Sequence, residues 1–292
     1  MKSKLSIVIG ANNARTSIRD CLASLENQQK DHNVEIIVVD NSTDGTTEII
    51  SQQFPNINLL RTSEADLIPQ LWEIGINQST GDIVAITTAH CVPEKNWIEE
   101  ILKAHDSTPY PGIGGAIEND KSAGLVEWAI FFCRYSRYML PFPERTVSEI
   151  AGDNASYKRW VLDRYKQARR QGFWEPTVHA ELRKDGLQLL MKPTIVVYHK
   201  KSFSLPGFIK QRFWHGKQFG KARTASLSGI KRIIYILLSP LIPLVFLSRI
   251  TQQVLIKKKH GRKFLFSLPL LILFLLSWST GEFIGYLSPS RK

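Results

Sequence analysis

Cysteine is scarce: three occur in 292 residues, Cys21, Cys91 and Cys133, and no two form a C-x-x-C pair. That excludes a disulfide framework and a cysteine-built zinc cluster, and leaves the thiols of a reducing compartment as the default. Nucleotide-loop glycines are missing as well. No G-x-G-x-x-G follows the first apolar run and no G-x-x-x-x-G-K-[ST] occurs anywhere, so neither a dinucleotide fingerprint nor a P-loop is present. The apolar run Leu5 to Ile9 after the basic start is too short for a signal-peptide core, which predicts a front half that stays in the cytosol. Acidic residues thin out along the chain. Residues 1–130 carry 18 Asp/Glu against 9 Lys/Arg, whereas residues 131–292 carry 8 against 29. A uniformly basic globule would point to nucleic acid; an acidic front with a basic, increasingly apolar rear points instead to a soluble head on an anionic membrane, with no nucleic-acid partner.

What is present is alternation. Leu5 to Ile9 reads as a buried strand, and residues 15–28 as a helix whose Ile18, Cys21, Leu22 and Leu25 share a face. Val34 to Val39 is nearly all apolar, as a central parallel strand buried on both faces should be, and Asp40 to Gly45 supplies a polar turn. A helix near 45–53, a strand near 57–61, a helix near 66–79 and the strand Ile83 to Thr87 continue the pattern. Gly112-Ile113-Gly114-Gly115 opens no helix. Strand–helix alternation at this spacing predicts a parallel α/β sheet, whose ligands bind beyond the carboxyl ends of the strands. Function should then sit at residues 10–13, 40–44 and 87–91.

The rear differs. Residues 205–230 mix aromatics (Phe208, Phe213, Trp214, Phe219) with bases (Lys210, Arg212, Lys217), the pattern of an amphipathic helix in the headgroup region, with a solvated basic helix as the alternative. Residues 231–292 then carry two apolar runs. Phe264 to Gly281 is free of charge for 18 residues and predicts a spanning helix. Ile233 to Ser248 is free of charge for only 16 and holds Pro240 and Pro243, which predicts a re-entrant segment. Bases flank both ends of that first run, so the positive-inside tendency places Lys231 and the Lys257–Lys263 group on one, cytoplasmic side.

Ser6-Ile7-Val8-Ile9, the block Glu35 to Thr46 and Gly81-Asp82-Ile83-Val84-Ala85 resemble the front half of a family 2 glycosyltransferase of the GT-A fold. The likeness continues through Cys91-Val92-Pro93, Trp97, Gly152-Asp153-Asn154, residues 172–186 and Pro193 to His199, so it covers roughly residues 4–200. It implies a GT-A catalytic domain over residues 1–204 and transfer of a sugar from a nucleotide diphosphate donor, usually with inversion. Asp40, closing a central strand, can then accept hydrogen bonds from a base or ribose, and the backbone of Gly10-Ala11-Asn12-Asn13 can approach the nucleotide closely. An ordinary turn carboxylate is the other reading of Asp40.

One motif departs from the family. Its acidic DxD triplet falls on Thr88-Ala89-His90, which leaves no carboxylate where one normally grips Mg²⁺ or Mn²⁺ beneath the diphosphate. The resemblance leaves Thr88 and His90 at the diphosphate and His90 with His199 as the candidate ligands of a divalent metal. Structural hydrogen bonding or direct contact with the diphosphate is the alternative for both imidazoles. The family's catalytic carboxylate aligns with Glu175, and His179 stands four residues on as a reserve base. Asp153 and Asn154 resemble contacts to the acceptor or donor sugar. Together these readings predict a membrane-attached glycosyltransferase on the cytoplasmic face of the cell membrane, acting on a membrane-associated acceptor, alone or with other glycan-synthesis subunits. The rival is a non-catalytic nucleotide-sugar-binding or scaffolding member.

Overall fold

The computed structural model describes residues 3–30, 32–63, 67–200, 204–224 and 229–288. The first residue of the helix expected at 66–79, and residues 225–228 of the expected amphipathic segment, lie outside these. In chain order the elements are β1 (Leu5–Ala11), α1 (Ile18–Gln29), β2 (Val34–Asp40), α2 (Thr46–Gln53), β3 (Asn58–Arg61), α3 (Ile68–Gln78), β4 (Ile83–Thr88), β5 (Cys91–Pro93), α4 (Trp97–Ser107) and β6 (Gly112–Asn119). There follow α5 (Leu125–Tyr135), β7 (Arg145–Val147), β8 (Asn154–Lys158), α6 (Arg159–Arg164), α7 (Glu175–Lys184), β9 (Leu189–His199), α8 (Leu205–Thr224), α9 (Gly229–Leu238), α10 (Ile242–Lys257) and α11 (Gly261–Leu287). The chain divides into two units, Met1–Asp120 with Tyr138–Lys201, and Lys121–Arg137 with Ser202–Lys292.

In the first unit the strands form one sheet in the order β3-β2-β1-β4-β8-β6-β9-β5, with β7 also paired to β9. β1, β2, β3 and β4 are parallel to one another, and β6 and β9 continue in the same sense across the reversed β8. Among the described residues only β5, β7 and β8 run backwards, so the sheet is mostly parallel and mixed at its far side. The reason is in the composition. Leu5, Ile7, Val8, Ile9 and Ile37 to Val39 are completely buried because helices cover both faces of the front half. Every forward strand delivers its carboxyl end to one edge: Ala11, Asp40, Arg61, Thr88, Asn119 and His199 lie there. The reversed β8 begins at the same edge, with Asn154 opposite Thr87.

The second unit is helical. Residues 205–224 form one helix, but its packing differs from that expected of a helix lying free in a headgroup layer, because glycines bring α8 and α11 into backbone contact. A Cβ on Gly216 or Gly220 would stand 2.2 or 2.4 Å from carbonyl oxygens of α11 (Trp278, Glu282). One on Gly281 or Gly285 would stand 2.0 or 2.4 Å from those of α8 (Phe213, Lys217). Two small-x-x-x-small faces thus run alongside each other. Phe208 and Phe274 close the seam edge to face at 4.7 Å, over Ala129 and Ile130 of α5.

The first apolar run is broken where its prolines stand. α9 ends at Leu238, a short 3₁₀ turn covers Ser239–Leu241, and α10 begins at Ile242. Two helical stretches, Gly229–Lys257 and Gly261–Leu287, are long and apolar enough to cross a membrane. Their apolar faces are strongly exposed, with Leu237, Leu244, Leu255 and Phe266 each more than 60% accessible.

Candidate active site

The carboxyl edge of the sheet is assembled from loops that hydrogen-bond one another. After β1 the chain turns through Asn13, whose φ of +49° is the left-handed conformation that Asn tolerates. The Asn13 amide donates to Ser42 Oγ at 2.8 Å, its side-chain oxygen accepts from the Thr43 amide at 3.1 Å, and Asn12 Nδ2 donates to Asn41 Oδ1 at 2.8 Å. Asp44 ties the same two loops together, taking the Arg15 amide at 3.1 Å and the Thr46 hydroxyl at 2.5 Å. Burial pushes the Asp44 carboxyl up, but the bonds from Thr46 and Arg15 outweigh it and hold the group below its ordinary value. Gly10 lies under α3, with room for a Cβ only at 3.3 Å from Ile68, and Ala11 is wholly buried.

Asp40 occupies the strand end foreseen for it, but its carboxylate faces inward. It is completely buried; Oδ1 accepts from the Ser42 amide at 2.9 Å, and Oδ2 accepts from Thr47 Oγ1 at 2.6 Å and Arg61 Nη1 at 3.0 Å. The group fastens β2 to α2 and β3, and the expectation that it meets a base or ribose is corrected accordingly. The carboxamides of Asn12, Asn13 and Asn41 form the accessible polar rim in its place.

At β4 the picture agrees better. Thr87 Oγ1 donates to the Asp153 carbonyl at 2.8 Å, and Thr88 Oγ1 lies 3.3 Å from Asp153 Oδ1, so a half-buried carboxylate stands beside Thr88. The preceding residue, Gly152, donates its amide to Glu175 Oε1 at 2.9 Å. Trp72 walls the same spot: its indole N–H donates to the Thr87 carbonyl at 2.6 Å. Glu175 is the first residue of α7, followed by Pro176, and is half-buried. The structure therefore brings Thr88, Asp153, Glu175, Gly152 and Trp72 into one neighbourhood. The sequence reading missed Trp72 and the bridging role of Gly152; the Gly flanking Asp153 was the available signal.

Two expected residues are elsewhere. Asn154 is 1% exposed and stitches three elements, accepting from Trp97 Nε1 at 2.9 Å and donating to the Ala116 and Ile195 carbonyls. His179 is 1% exposed, with Nε2 2.8 Å from the Tyr157 hydroxyl. Burial, helped by Arg183, pushes its pKa down to about 3. The buried face of α7 is Val178, His179 and Leu182, so one turn beyond Glu175 leads into the core rather than along the cleft. The reserve-base role of His179 and the sugar contact of Asn154 are corrected on these grounds.

His90 and His199 do come together. Cys91 pairs with His199 across β5 and β9, and the Lys200 amide donates to the His90 carbonyl at 2.7 Å. Both rings are buried, and His90 Nδ1 lies 3.0 Å from Ser17 Oγ. Among the described residues, however, no three His, Cys, Asp or Glu gather to hold a metal ion. Mg²⁺ and Mn²⁺ favour oxygen donors, which Thr88-Ala89-His90 does not supply as carboxylates, so a divalent ion at His90 and His199 would need oxygens of the diphosphate to complete its shell.

Residues 6–166, more than half of the chain, match the family described as Glycosyl transferase family 2. The chain belongs to that family. Among curated proteins it is 31% identical over 119 residues to "Glycosyltransferase AglE" of Haloferax volcanii; the match covers 39% of each chain, so the sequence spans about two-fifths of that relative. Among solved structures it resembles S. aureus TarS 1-349 in complex with UDP-GlcNAc, with a TM-score of 0.51, 15% identity, and coverage of 69% of this chain and 59% of that one. It also resembles the mannosyltransferase PcManGT of Pyrobaculum calidifontis in complex with GDP-Man and Mn2+, with a TM-score of 0.58, 14% identity, and coverage of 97% and 87%. At these identities the structural likeness speaks for the GT-A fold, on which the family match and the mostly parallel sheet agree.

Proposed function

We propose that this family 2 member binds a nucleotide diphosphate sugar at the carboxyl edge of its sheet and transfers the sugar, with inversion, to a membrane-associated acceptor. The observation that carries this reading is the Glu175 carboxylate, held by the Gly152 amide beside Asp153 and Thr88 at the end of β4. An acceptor hydroxyl oxygen attacks the anomeric carbon, the bond from that carbon to the diphosphate breaks, and Glu175 takes the hydroxyl proton. Asp153 is placed to orient a sugar hydroxyl. Thr88 and the Asn12–Asn13 loop supply hydroxyl, amide and backbone groups toward the nucleotide diphosphate. The relatives' bound UDP-GlcNAc and GDP-Man are both nucleotide diphosphate sugars, which favours the same donor class here.

The two long apolar helices favour attachment to the cell membrane, and the bases between them, Lys257–Lys259, Arg262 and Lys263, favour the cytoplasmic face for the catalytic unit. In this arrangement the exposed apolar faces of α9, α10 and α11 enter the bilayer. A second reading, a non-catalytic sugar-nucleotide-binding subunit, is favoured by the missing acids at Thr88-Ala89-His90. Transfer and hydrolysis assays with UDP- and GDP-sugars on the full chain separate the two. Glu175→Gln keeps an oxygen for the Gly152 amide, so the fold holds while turnover falls about 10²–10⁴-fold, the typical range for a lost general base. A Glu175→Gln protein as active as the native one removes Glu175 from the role, and a native protein inert with every donor leaves the binding subunit.

A further inference from the structure

The second unit is almost without acids. Residues 121–137 and 202–292 carry 18 Lys/Arg and only two carboxylates, Glu127 and Glu282. Glu282 is buried and already engaged, accepting from Trp278 Nε1 at 2.8 Å and from the Tyr286 hydroxyl at 2.5 Å, with Arg223 Nη1 at 3.7 Å. Within this unit lies a cavity of about 220 Å³ between α5, α8, α10 and α11. Its walls are largely apolar, with Cys133, Phe246, Leu275 and Trp278 among them; among the described residues the charged ones on its lining are Arg212 and Arg249, and no Asp or Glu reaches it.

Arg212 is held there by aromatic faces instead of a carboxylate. Its guanidinium lies 5.0 Å from the Phe208 ring centre and 5.3 Å from that of Trp278. Nη2 donates to His215 Nδ1 at 2.9 Å; since a guanidinium only donates, that imidazole nitrogen is an unprotonated acceptor and brings no negative charge. The guanidinium also bonds the Cys133 thiol, while Nε is buried with no hydrogen-bond partner. Arg249 sits in the apolar helix α10, where a cation is costly unless a ligand or partner compensates it. Two arginines thus line one largely apolar cavity that has no carboxylate among the described residues of its walls, and Arg212 carries a buried donor with no partner of its own, the charge balance an anion would complete.

We propose that this cavity holds the phosphate of an anionic membrane lipid, with Arg212 and Arg249 on the phosphate oxygens and the apolar walls against the adjoining carbons. The volume, 220 Å³, is below the roughly 300–1,000 Å³ of sites that engulf a whole small ligand, so it suits a headgroup whose chains lie outside. The chains have a place to lie: α10 exposes Leu244 at 63% and Leu255 at 67%. That continuity of apolar surface selects a lipid over a free phosphate. The proposal rests on the membrane attachment proposed above and stands independently of sugar transfer.

The test is native mass spectrometry of the full chain, stripped of lipid in neutral detergent and titrated with phosphatidic acid, phosphatidylcholine or glycerol 3-phosphate. One equivalent of phosphatidic acid binds, about tenfold tighter than phosphatidylcholine. Arg212→Gln and Arg249→Gln each weaken it about tenfold, as loss of a charge-assisted bond to phosphate requires. Lys231→Gln, a base off the lining, leaves the affinity unchanged, and Arg249→Lys recovers part of it. Should Arg212→Gln fail to fold, Arg249→Gln decides, because its side chain is exposed. Equal binding of the two lipids, equal losses in Arg249→Gln and Lys231→Gln, or glycerol 3-phosphate binding as tightly as phosphatidic acid would each overturn the proposal.

Discussion

Replacing Gly152 by alanine tests the geometry around Glu175 without any substrate. A Cβ there stands 2.6 Å from both Cη2 and Cζ3 of Trp72 and 2.7 Å from Glu175 Oε1, closer than real side chains pack. Trp72 cannot retreat cheaply, being 3% exposed and tied to the Thr87 carbonyl. Glu175 can swing toward water, but then it gives up the Gly152 amide. Overpacking of this kind costs about 1–3 kcal/mol, and exchanging the amide bond for water adds about 1 kcal/mol, so Gly152→Ala should lose about 2–4 kcal/mol. In a unit of this size that lowers the unfolding midpoint by about 5–15 °C, read by near-ultraviolet circular dichroism in detergent. Trp72→Phe removes the two ring atoms that collide. The double variant should therefore fall short of additivity by about 1 kcal/mol or more, whereas an additive pair, or Gly152→Ala melting with the native protein, refutes the packing described.

Gly281→Leu should separate α8 from α11, since its first side-chain carbon already meets the Phe213 carbonyl at 2.0 Å, and should cost about 3 kcal/mol or more; Gly261→Leu, with open space around it, should be silent. Equal tolerance of the two leucines would contradict the glycine seam. Acid should destabilise the first unit through two buried imidazoles. Burial, with Lys158 and Arg183 adding to it respectively, pushes His105 and His179 down to about 3. Their folded values lie below the unfolded value of about 6.5, so between about pH 6.5 and 3 the unfolded chain binds more protons and stability falls as pH falls. Each ring contributes roughly 1.4 kcal/mol per pH unit in that window, and His179→Gln should flatten the midpoint-against-pH curve. A curve identical to the native one sinks that assignment.

The strands announced themselves because burial on both faces leaves little choice of residue: Val34 to Val39 reads as a central strand and lies between β1 and β3. The strand-end rule then located the edge where Thr88, Asp153 and Glu175 gather. Side-chain direction was another matter. Nothing near Asp40 in the sequence reveals that Arg61, 21 residues on, turns its carboxylate inward. His179 shares a helical face with Glu175, but a face has a depth, and one turn was enough to carry it under Tyr157. Asn154 looked like a turn residue because its partners, Ala116, Ile195 and Trp97, are all distant in the chain. The glycine seam was legible in the spacing of Gly216 with Gly220 and Gly281 with Gly285, and went unread because bases and aromatics dominate that stretch.

Isothermal titration of the full chain with UDP- and GDP-sugars bears most directly on the claim that the carboxyl edge of this sheet receives an activated sugar. A single saturable site for at least one of these donors is the predicted result. Titrations that stay flat with every donor, in protein whose unfolding is native-like, would contradict it.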